Sequence, residues 1–516
     1  MYNKGEDTME LEFDRDTIVS YETVAQATLC QEETQESIVP DACPDILRIV
    51  DVCGQAMLSG KQAKEGMAQV TGMVRAVILY QPEGGGGLRR IEVGLPFTCQ
   101  LEAPGLTEAG TVLASPRLRR AEARALNPRK VLLRVDLAVD ITACQPVERS
   151  ICCGVTQPEE HHICQRQHPG EHFQLCAVQE KPFSFSDQVR LQTGSGETPS
   201  LLAARVQPVC TESKLIGAKL IFKGVVELYL LLQEQGGGLS ASHESMPFSQ
   251  IIEVPQAGEE GDCQVEVEVV SLHCEPAPGD ERELEVSLEL LAQAQVRCHR
   301  PVKLLQDLYS TSNLMEVDRE NQPLCRLGEQ SVRPQAVREL LETGEMVRSV
   351  VDARLALGQV NQSREGSELV LTVDAWVTVL YLDENELVQC IQRSIPVSCR
   401  LDCLEGVKCT CFCACPGEVF AAPGAGGVEV RFTVEFHCLT TETVSIPSVT
   451  AAHLGEVRSA GEETRPSMVL RMPAPGEELW DIAKAHGTTI EQILQANELE
   501  EEALPFGRML LIPSTR

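Results

Sequence analysis

Four thiols stand at alternate positions in Cys409-Thr410-Cys411-Phe412-Cys413-Ala414-Cys415. In an extended chain the alternation sets all four sulfurs on one side, about 7 Å apart from two steps of strand rise. A tetrahedral thiolate site asks for something different, Cys-x2-4-Cys pairs on turns where four ligands converge. In an earlier stretch that aligns with this one, Val265, Val267 and Val269 take the places of Cys409, Cys411 and Cys413. The cysteines therefore read as small core hydrophobes. A second group, Cys152, Cys153, His161, His162, Cys164, His168, His172 and Cys176, gathers four of the ten histidines within twelve residues, a density that raises the question of zinc. Cys152 and Cys153 with His161 or Cys164 are the set that could reach one ion. Their spacing fits no finger or ribbon, and adjacent Cys-Cys and His-His pairs point side chains apart, so an exposed polar linker is the better reading. No metal and no cofactor is expected.

Catalytic constellations are missing from the sequence. There is no Gly-x-Ser-x-Gly elbow, Walker loop or His-Glu-x-x-His. The glycines at 84–87 lack the Lys-Ser/Thr and the helix of a phosphate loop and read as a hairpin turn. The paired carboxylates Glu259-Glu260 and Glu500-Glu501-Glu502 have nothing near them in sequence to raise a pKa and read as solvated surface. The expectation is a protein that is not an enzyme. A formal charge of −32 argues against nucleic acid, whose phosphates need a basic surface. No run approaches 18 apolar residues, so no membrane insertion is expected. Nor does an apolar targeting stretch follow Met1, which points to the cytoplasm, where the 22 cysteines would serve as buried apolar residues and not as disulfides.

The elements that must position these groups repeat about every 150 residues. Three strands stand in register: residues 69–81, 221–233 and 372–383. Each leads into a polar turn, at Gly84 to Gly87, Gly236 to Gly238 or Glu384-Asn385-Glu386. Each turn returns to a proline, Pro96, Pro247 or Pro396, lying 16, 15 and 15 residues after Tyr80, Leu232 and Tyr381. That agreement makes each pair a hairpin. The alternating stretches Val131 to Val139, Leu284 to Leu290 and Val428 to Phe436 then predict strands with one face buried and one wet. A short helix is expected at Arg338 to Glu342. Boundaries are expected near 150–180, 305–335 and 445–466, where apolar periodicity fades.

The last fifty residues have a different rhythm. Met468 to Met472 predicts a strand, and Pro475-Gly476 a turn. Leu479, Ile482 and Ala483 predict a helix ending at Gly487, and Thr489 with Gln492 caps a second helix that carries Ile490, Ile493 and Leu494. Pro505-Phe506-Gly507 then turns the chain into a strand, Met509 to Pro513. On Pro475-Gly476, Leu479-Trp480, Ile482-Ala483, Gly487, Thr489, Ile493, Asn497, Leu499, Pro505 to Gly507 and Leu511-Ile512-Pro513, this stretch resembles a LysM domain, a module that grips N-acetylglucosamine-containing glycans. The family's Gly-Asp-Thr turn reads Gly476-Glu477-Glu478 here. Two carboxylates add charge to the sugar-facing loop, and Glu478 replaces the hydroxyl cap while still suiting the helix dipole. Trp480 reads equally as a binding-face anchor and as core.

The repeats resemble the SPOCS domain of bacterial spore-coat proteins. The likeness rests on Val39-Pro40-Asp41-Ala42-Cys43-Pro44-Asp45-Ile46-Leu47, on Asn127-Pro128-Arg129-Lys130-Val131 and on Asp307-Leu308-Tyr309-Ser310-Thr311. The third copy lacks the Asn-Pro-Arg-Lys turn. With a terminal LysM, the order is similar to SipL-type coat-morphogenesis proteins of spore-forming bacteria. The expected fold is mainly β, with three tandem sandwich-like or partly closed barrel repeats followed by a small βααβ domain. The expected domains are 1–150, 181–308 and 309–445 as β domains, 151–180 and 446–466 as linkers, and 467–516 as LysM.

The resemblance implies a sporulation adaptor in the mother-cell cytoplasm at the forespore surface, its LysM docking on the coat morphogenetic ATPase SpoIVA. Other coat proteins, self-association and glycan stand beside that partner. The implied binding face is Pro475, Gly476, Glu477, Glu478, Leu479, Trp480, Ile482, Ile490, Ile493, Asn497 and Leu499. In that reading Trp480, Ile482, Ile490 and Ile493 give apolar contact, and Glu477 and Glu478 select a basic partner. The rival is a peptidoglycan- or N-acetylglucosamine-binding wall protein.

Overall fold

A computed structural model describes residues 9–191, 198–255, 261–278, 280–458, 468–500 and 508–513. The first unit comprises β1 (Met9–Glu10), β2 (Phe13–Ile38), β3 (Ile46–Lys64), β4 (Met67–Pro82), β5 (Arg89–Glu102), β6 (Thr111–Asn127) and β7 (Lys130–Val155). The second comprises β8 (Ile163–Arg190), β9 (Ser200–Ile216), β10 (Lys219–Gln233), β11 (Leu239–Glu253), β12 (Gly261–Ala277) and β13 (Asp280–Ser310). The third comprises β14 (Asn313–Glu342), β15 (Val347–Glu365), β16 (Glu368–Asp383), β17 (Val388–Asp402), β18 (Lys408–Ala414), β19 (Phe420–Gly424) and β20 (Gly427–Val457). A last unit follows, with β21 (Met468–Arg471), α1 (Leu479–His486), α2 (Ile490–Asn497) and β22 (Leu510–Pro513).

One plan is used three times. A long strand leads in, an antiparallel meander of three strands follows, and the chain returns to pair with the long strand. The meanders are β3-β4-β5, β9-β10-β11 and β15-β16-β17. Their registers agree: Pro96 faces Met73, Pro247 faces Val225 and Pro396 faces Asp374, each at the same place before the turn. One step further, Gly72 faces Phe97 and Gly224 faces Phe248, while Val373 faces Val397. A Cβ on Gly224 would lie 2.5 Å from the Phe248 ring and 2.2 Å from the Val209 carbonyl oxygen. The first two units therefore fill this layer with one large ring over no side chain, and the third with two medium side chains.

Under each meander lies a layer of long strands. In the first two units these layers form one six-stranded sheet, β12-β13-β8-β2-β7-β6, joined at the single pair Tyr21 and Leu175. In the third unit β20 is central, with β14 along one edge and β1, β18 and β19 along the other. The strict alternation at Val131 to Val139, Leu284 to Leu290 and Val428 to Phe436 puts the apolar residues into three separate cores between the layers. Among the described residues all sheets are open, so the architecture is sandwich-like and no sheet is a closed barrel.

The units also share cores. Cys53, Val77 and Leu79 of the first meander meet Leu202, Ala203 and Leu231 of the second and Leu380 of the third. Beside them Arg354 grips buried Asp51 with two hydrogen bonds of 2.8 and 2.7 Å, and Arg205 holds Asp352 at 2.8 Å. At the long strands, Ile18, Ile151, Val302, Leu304, Leu324 and Ile446 form another cluster drawn from all three units.

Several expectations change here. Residues 151–180, read as a polar linker, are the end of β7, a 3-10 turn at Pro158–His161 and the first half of β8. The helix expected at Arg338 to Glu342 is strand, paired along β20 from Arg431 to Gly427. The boundary expected near 305–335 falls between Ser310, where β13 ends, and Asn313, where β14 begins, but β20 extends the third unit to Val457, well into the 446–466 linker. Residues 459–467 lie outside the described residues.

Candidate functional site

The terminal unit is a βααβ fold with a minimal core, and local chemistry sets each piece. Gly476, at φ 82°, makes the turn after β21. Glu477 folds back into that turn, accepting from the Ala474 N–H at 2.9 Å and pairing with Arg471 at 2.5 Å. Glu478 sits at the N-cap of α1 without a capping hydrogen bond and instead pairs with Arg166 of β8 at 2.6 Å. Gly487, at φ 66°, ends α1. Thr489 and Gln492 form the expected capping box on α2. Asn497 donates to the carbonyls of Ile493 at 2.7 Å and Leu511 at 2.6 Å, and accepts from the Leu511 N–H at 2.7 Å. It thereby ties α2 to β22. The turn expected at Pro505-Phe506-Gly507 lies outside the described residues.

This core is completed from outside the unit. Tyr309, near the end of β13, enters the cluster of Leu479, Trp480, Ile482, Ala483, Ile493, Leu510 and Ile512. Its ring meets Trp480 edge-on, centroids 5.0 Å apart, and its hydroxyl donates to the Thr488 carbonyl at 2.8 Å. Burial and the Cys164 thiol push the Tyr309 pKa up, so the hydroxyl keeps its proton and remains a donor. Two residues earlier, Asp307 accepts from the Trp480 indole N–H at 2.8 Å and from Lys484 at 2.7 Å, and pairs with Arg319. Burial alone would raise the Asp307 carboxyl, but the bonds from Lys484, Trp480 and Arg319 outweigh it and hold the carboxyl below its usual range.

The expected binding face is therefore divided. Leu479, Trp480, Ile482 and Ile493 are buried, and Ile490 and Leu499 pack half-buried on the same cluster. With Ile482 and Ile493 fully enclosed, apolar contact with a partner has to come from elsewhere on the unit. Trp480 spends its indole on Asp307 and Tyr309, Asn497 is a strut, and Glu477 is turned inward. Pro475, Gly476 and Glu478 remain exposed.

What opens to solvent instead is the outer side of the two-stranded sheet. Met468, Leu470, Met472 and Met509 are all more than half exposed. The register sets Leu470 against Leu511 and Met468 against Pro513 on that same side. Alternation at 468–472 could have shown this face from sequence. The seat at Asp307 and Tyr309 could not have been found that way, since it joins groups 173 and 179 residues apart.

The cysteine and histidine group separates in space. Cys152 packs in one shared cluster, Cys153 against another and Cys164 beside Tyr309, while His161 ends the 3-10 turn. Among the described residues no group of three or more His, Cys, Asp or Glu side chains could hold a metal ion. Cys409, Cys411 and Cys413 pack against the third core along one side of β18.

The LysM domain family matches residues 474–513, from the turn through both helices to β22. The SipL, SPOCS domain family matches residues 200–276, which span the second meander and β12. The pair matches a SipL-type protein. No curated protein matches the chain. The SPOCS match covers the meander of the second sandwich and the edge strand β12 of the layer beneath, and leaves out β8 and β13, the strands that carry the LysM seat. SPOCS and LysM are both non-catalytic families, and together they fit a sporulation protein with a LysM of the cell-wall- and glycan-binding kind. No described helix is long and apolar enough to cross a membrane.

Proposed function

We propose that this chain is a non-enzymatic adaptor in spore coat assembly, acting in the mother cell at the forespore surface. In this reading its LysM domain docks on the coat morphogenetic ATPase SpoIVA. The observation that carries the reading is the apolar outer side of β21 and β22, formed among the described residues by Met468, Leu470, Leu511 and Pro513, with exposed Met472 and Met509 just beyond the strand ends. A unit this small gains nothing from leaving such a surface in water, and contiguous exposed apolar area marks protein contact sites. Sugar ligands, by contrast, need polar groups directed at hydroxyls. The first and third units, which repeat the plan and register of the SPOCS-matched second, are read as SPOCS domains as well, supplying coat contacts or self-association.

The glycan reading is favoured by the LysM match itself and by the exposed turn at Pro475 and Gly476. Titration of the full chain with purified SpoIVA, with chitin oligomers and with peptidoglycan separates the two. The expected result is binding to SpoIVA that falls at least about tenfold in Leu470→Glu, the loss of one central apolar contact, with an unchanged melting temperature. Glycan binding without SpoIVA binding overturns the proposal.

A further inference from the structure

The third unit holds a thiol arrangement that neither its fold nor the docking function requires. Among the described strands β18 is an edge strand, paired with β20 alone. Within that ladder Cys411 stands directly opposite Cys438, and the two sulfurs are 3.7 Å apart. Cys409 faces Thr440 and Cys413 faces Phe436, so the flanking thiols lie two pairs to either side, on the same face. On the opposite side of the ladder Phe412 stacks on His437, centroids 4.5 Å apart and rings 9° from parallel, which holds the register at that step.

Opposed residues in an antiparallel ladder have Cβ atoms about 4.5–5.5 Å apart, while diagonal neighbours are about 7–8 Å apart. A disulfide needs Cα atoms within about 7 Å, which the opposed pair satisfies, while the diagonal partner Cys409, whose thiol also hydrogen-bonds Cys438, sits at the edge of that limit. Access is available too. Cys411 is half-buried and, with Cys409 and Cys413, lines a cavity of about 330 Å³ between β18 and the first two units. Cys438 lies beneath it, 2% exposed. Thiol hydrogen bonds from Cys409 and Cys411 hold Cys438 toward its thiolate, against the effect of burial.

We propose that Cys411 and Cys438 form a redox-active dithiol, which hydrogen peroxide closes to a cross-strand disulfide fastening β18 to β20. One thiolate attacks a peroxide oxygen, the O–O bond breaks, and the sulfur becomes a sulfenic acid while hydroxide leaves and takes up the thiol proton as water. The second sulfur attacks the first, its S–H proton leaves with the displaced hydroxyl as a second water, and the S–S bond forms. Two electrons pass from the thiol pair to one peroxide. The bond converts an edge strand held by main-chain hydrogen bonds into one that cannot fray, and closes the loop that carries β19.

The test uses the full-length chain. Reduced protein is exposed to graded hydrogen peroxide, alkylated, digested with trypsin without reduction and read by mass spectrometry. Cleavage at Lys408, Arg431 and Arg458 places Cys411 in the peptide 409–431 and Cys438 in the peptide 432–458. The expected product is these two peptides joined through Cys411, retained in Cys409→Ser and Cys413→Ser and lost in Cys411→Ser. Exposed Cys30 serves as the internal dose marker. A link from Cys438 to Cys409 or Cys413 overturns the assignment, and so does a free, alkylated Cys438 at doses that oxidise Cys30. Because the wild-type linkage map decides the matter, a variant that fails to fold does not leave it open.

Discussion

Replacing Asp307 with asparagine should loosen the LysM domain from its seat while leaving the three sandwiches intact. The carboxylate receives the Trp480 N–H at 2.8 Å and the Lys484 ammonium at 2.7 Å, and pairs with Arg319. A hydrogen bond to a charged group contributes about 1.5–3 kcal/mol, which applies to the buried indole. Lys484 and Arg319 are 34% and 37% exposed, so each pair counts for about 0.5 kcal/mol after solvent screening. Asparagine keeps one acceptor, which leaves an expected loss of about 2 kcal/mol. Trp376, whose indole N–H lacks a hydrogen-bond partner, is first changed to phenylalanine so that Trp480 is the sole tryptophan, excited selectively over the tyrosines. Urea titration of Trp480 emission should then show its midpoint about 2 M lower in Asp307→Asn, taking a slope of about 1 kcal/mol/M for so small a unit. The same carboxyl gives a pH signature. Its folded pKa lies below the ordinary 3.8, so its contribution is fully present above the unfolded value and is lost as pH falls through the folded one. Asp307→Asn should be flat across that window. An unmoved midpoint, with Asp307→Asn retaining the wild-type acid response, would refute the seat.

Other perturbations test other parts of the molecule. Asp51→Asn strands the buried Arg354 guanidinium between the meanders and should cost about 3–5 kcal/mol, read as a lower melting temperature of the body with the Trp480 transition unchanged. Asn497→Ala removes three hydrogen bonds and leaves Leu511 without its partner, so the LysM transition alone should drop by about 2–3 kcal/mol in the same urea assay. Gly224→Ala sets a methyl 2.2 Å from the Val209 carbonyl oxygen and should destabilise the second sandwich by at least about 1–3 kcal/mol in a thermal melt. Burial and the neighbouring Glu266 raise the Glu268 carboxyl to about 8. The folded state therefore keeps a proton that the unfolded chain releases above its ordinary value of 4.5, and stability declines as pH rises from there to about 8. Glu268→Gln should abolish that decline, seen as a melting temperature that no longer falls between the two.

The parts legible in the sequence were those set by short-range pattern. Proline spacing from Tyr80, Leu232 and Tyr381 carried the meander registers, and Gly476, Gly487 and Thr489 carried the turns and caps of the LysM unit. Where partner strands outweigh local preference, the reading failed. Residues 163–180 have no clean apolar period because β8 is buried on both sides from His172 to Val178, polar His172 and Gln174 included, and partly wet on either flank, and its strand character comes from the β13 backbone opposite. Arg338 to Glu342 suits a helix locally but is drawn into the ladder by β20. The division of the binding face failed for a related reason. Trp480 and Ile482 have the types of an anchor, but Ile482 turns into the unit's own core and Trp480 onto Tyr309 and Asp307 of β13.

The long strands bear on how the molecule would carry load. β13 runs without a break from the second sandwich core at Leu284 to Leu290, past the shared cluster at Val302 and Leu304, to the LysM seat at Asp307 and Tyr309. The LysM domain is tethered in sequence beyond β20, a second such strand that crosses the third core and runs on to Val457. A pull on the domain along these strands would place the β8–β13 and β14–β20 ladders in shear, straining many main-chain hydrogen bonds together, where a peeling force would take them in turn. The two strands act as tendons, delivering tension from a small terminal hook into two separate cores.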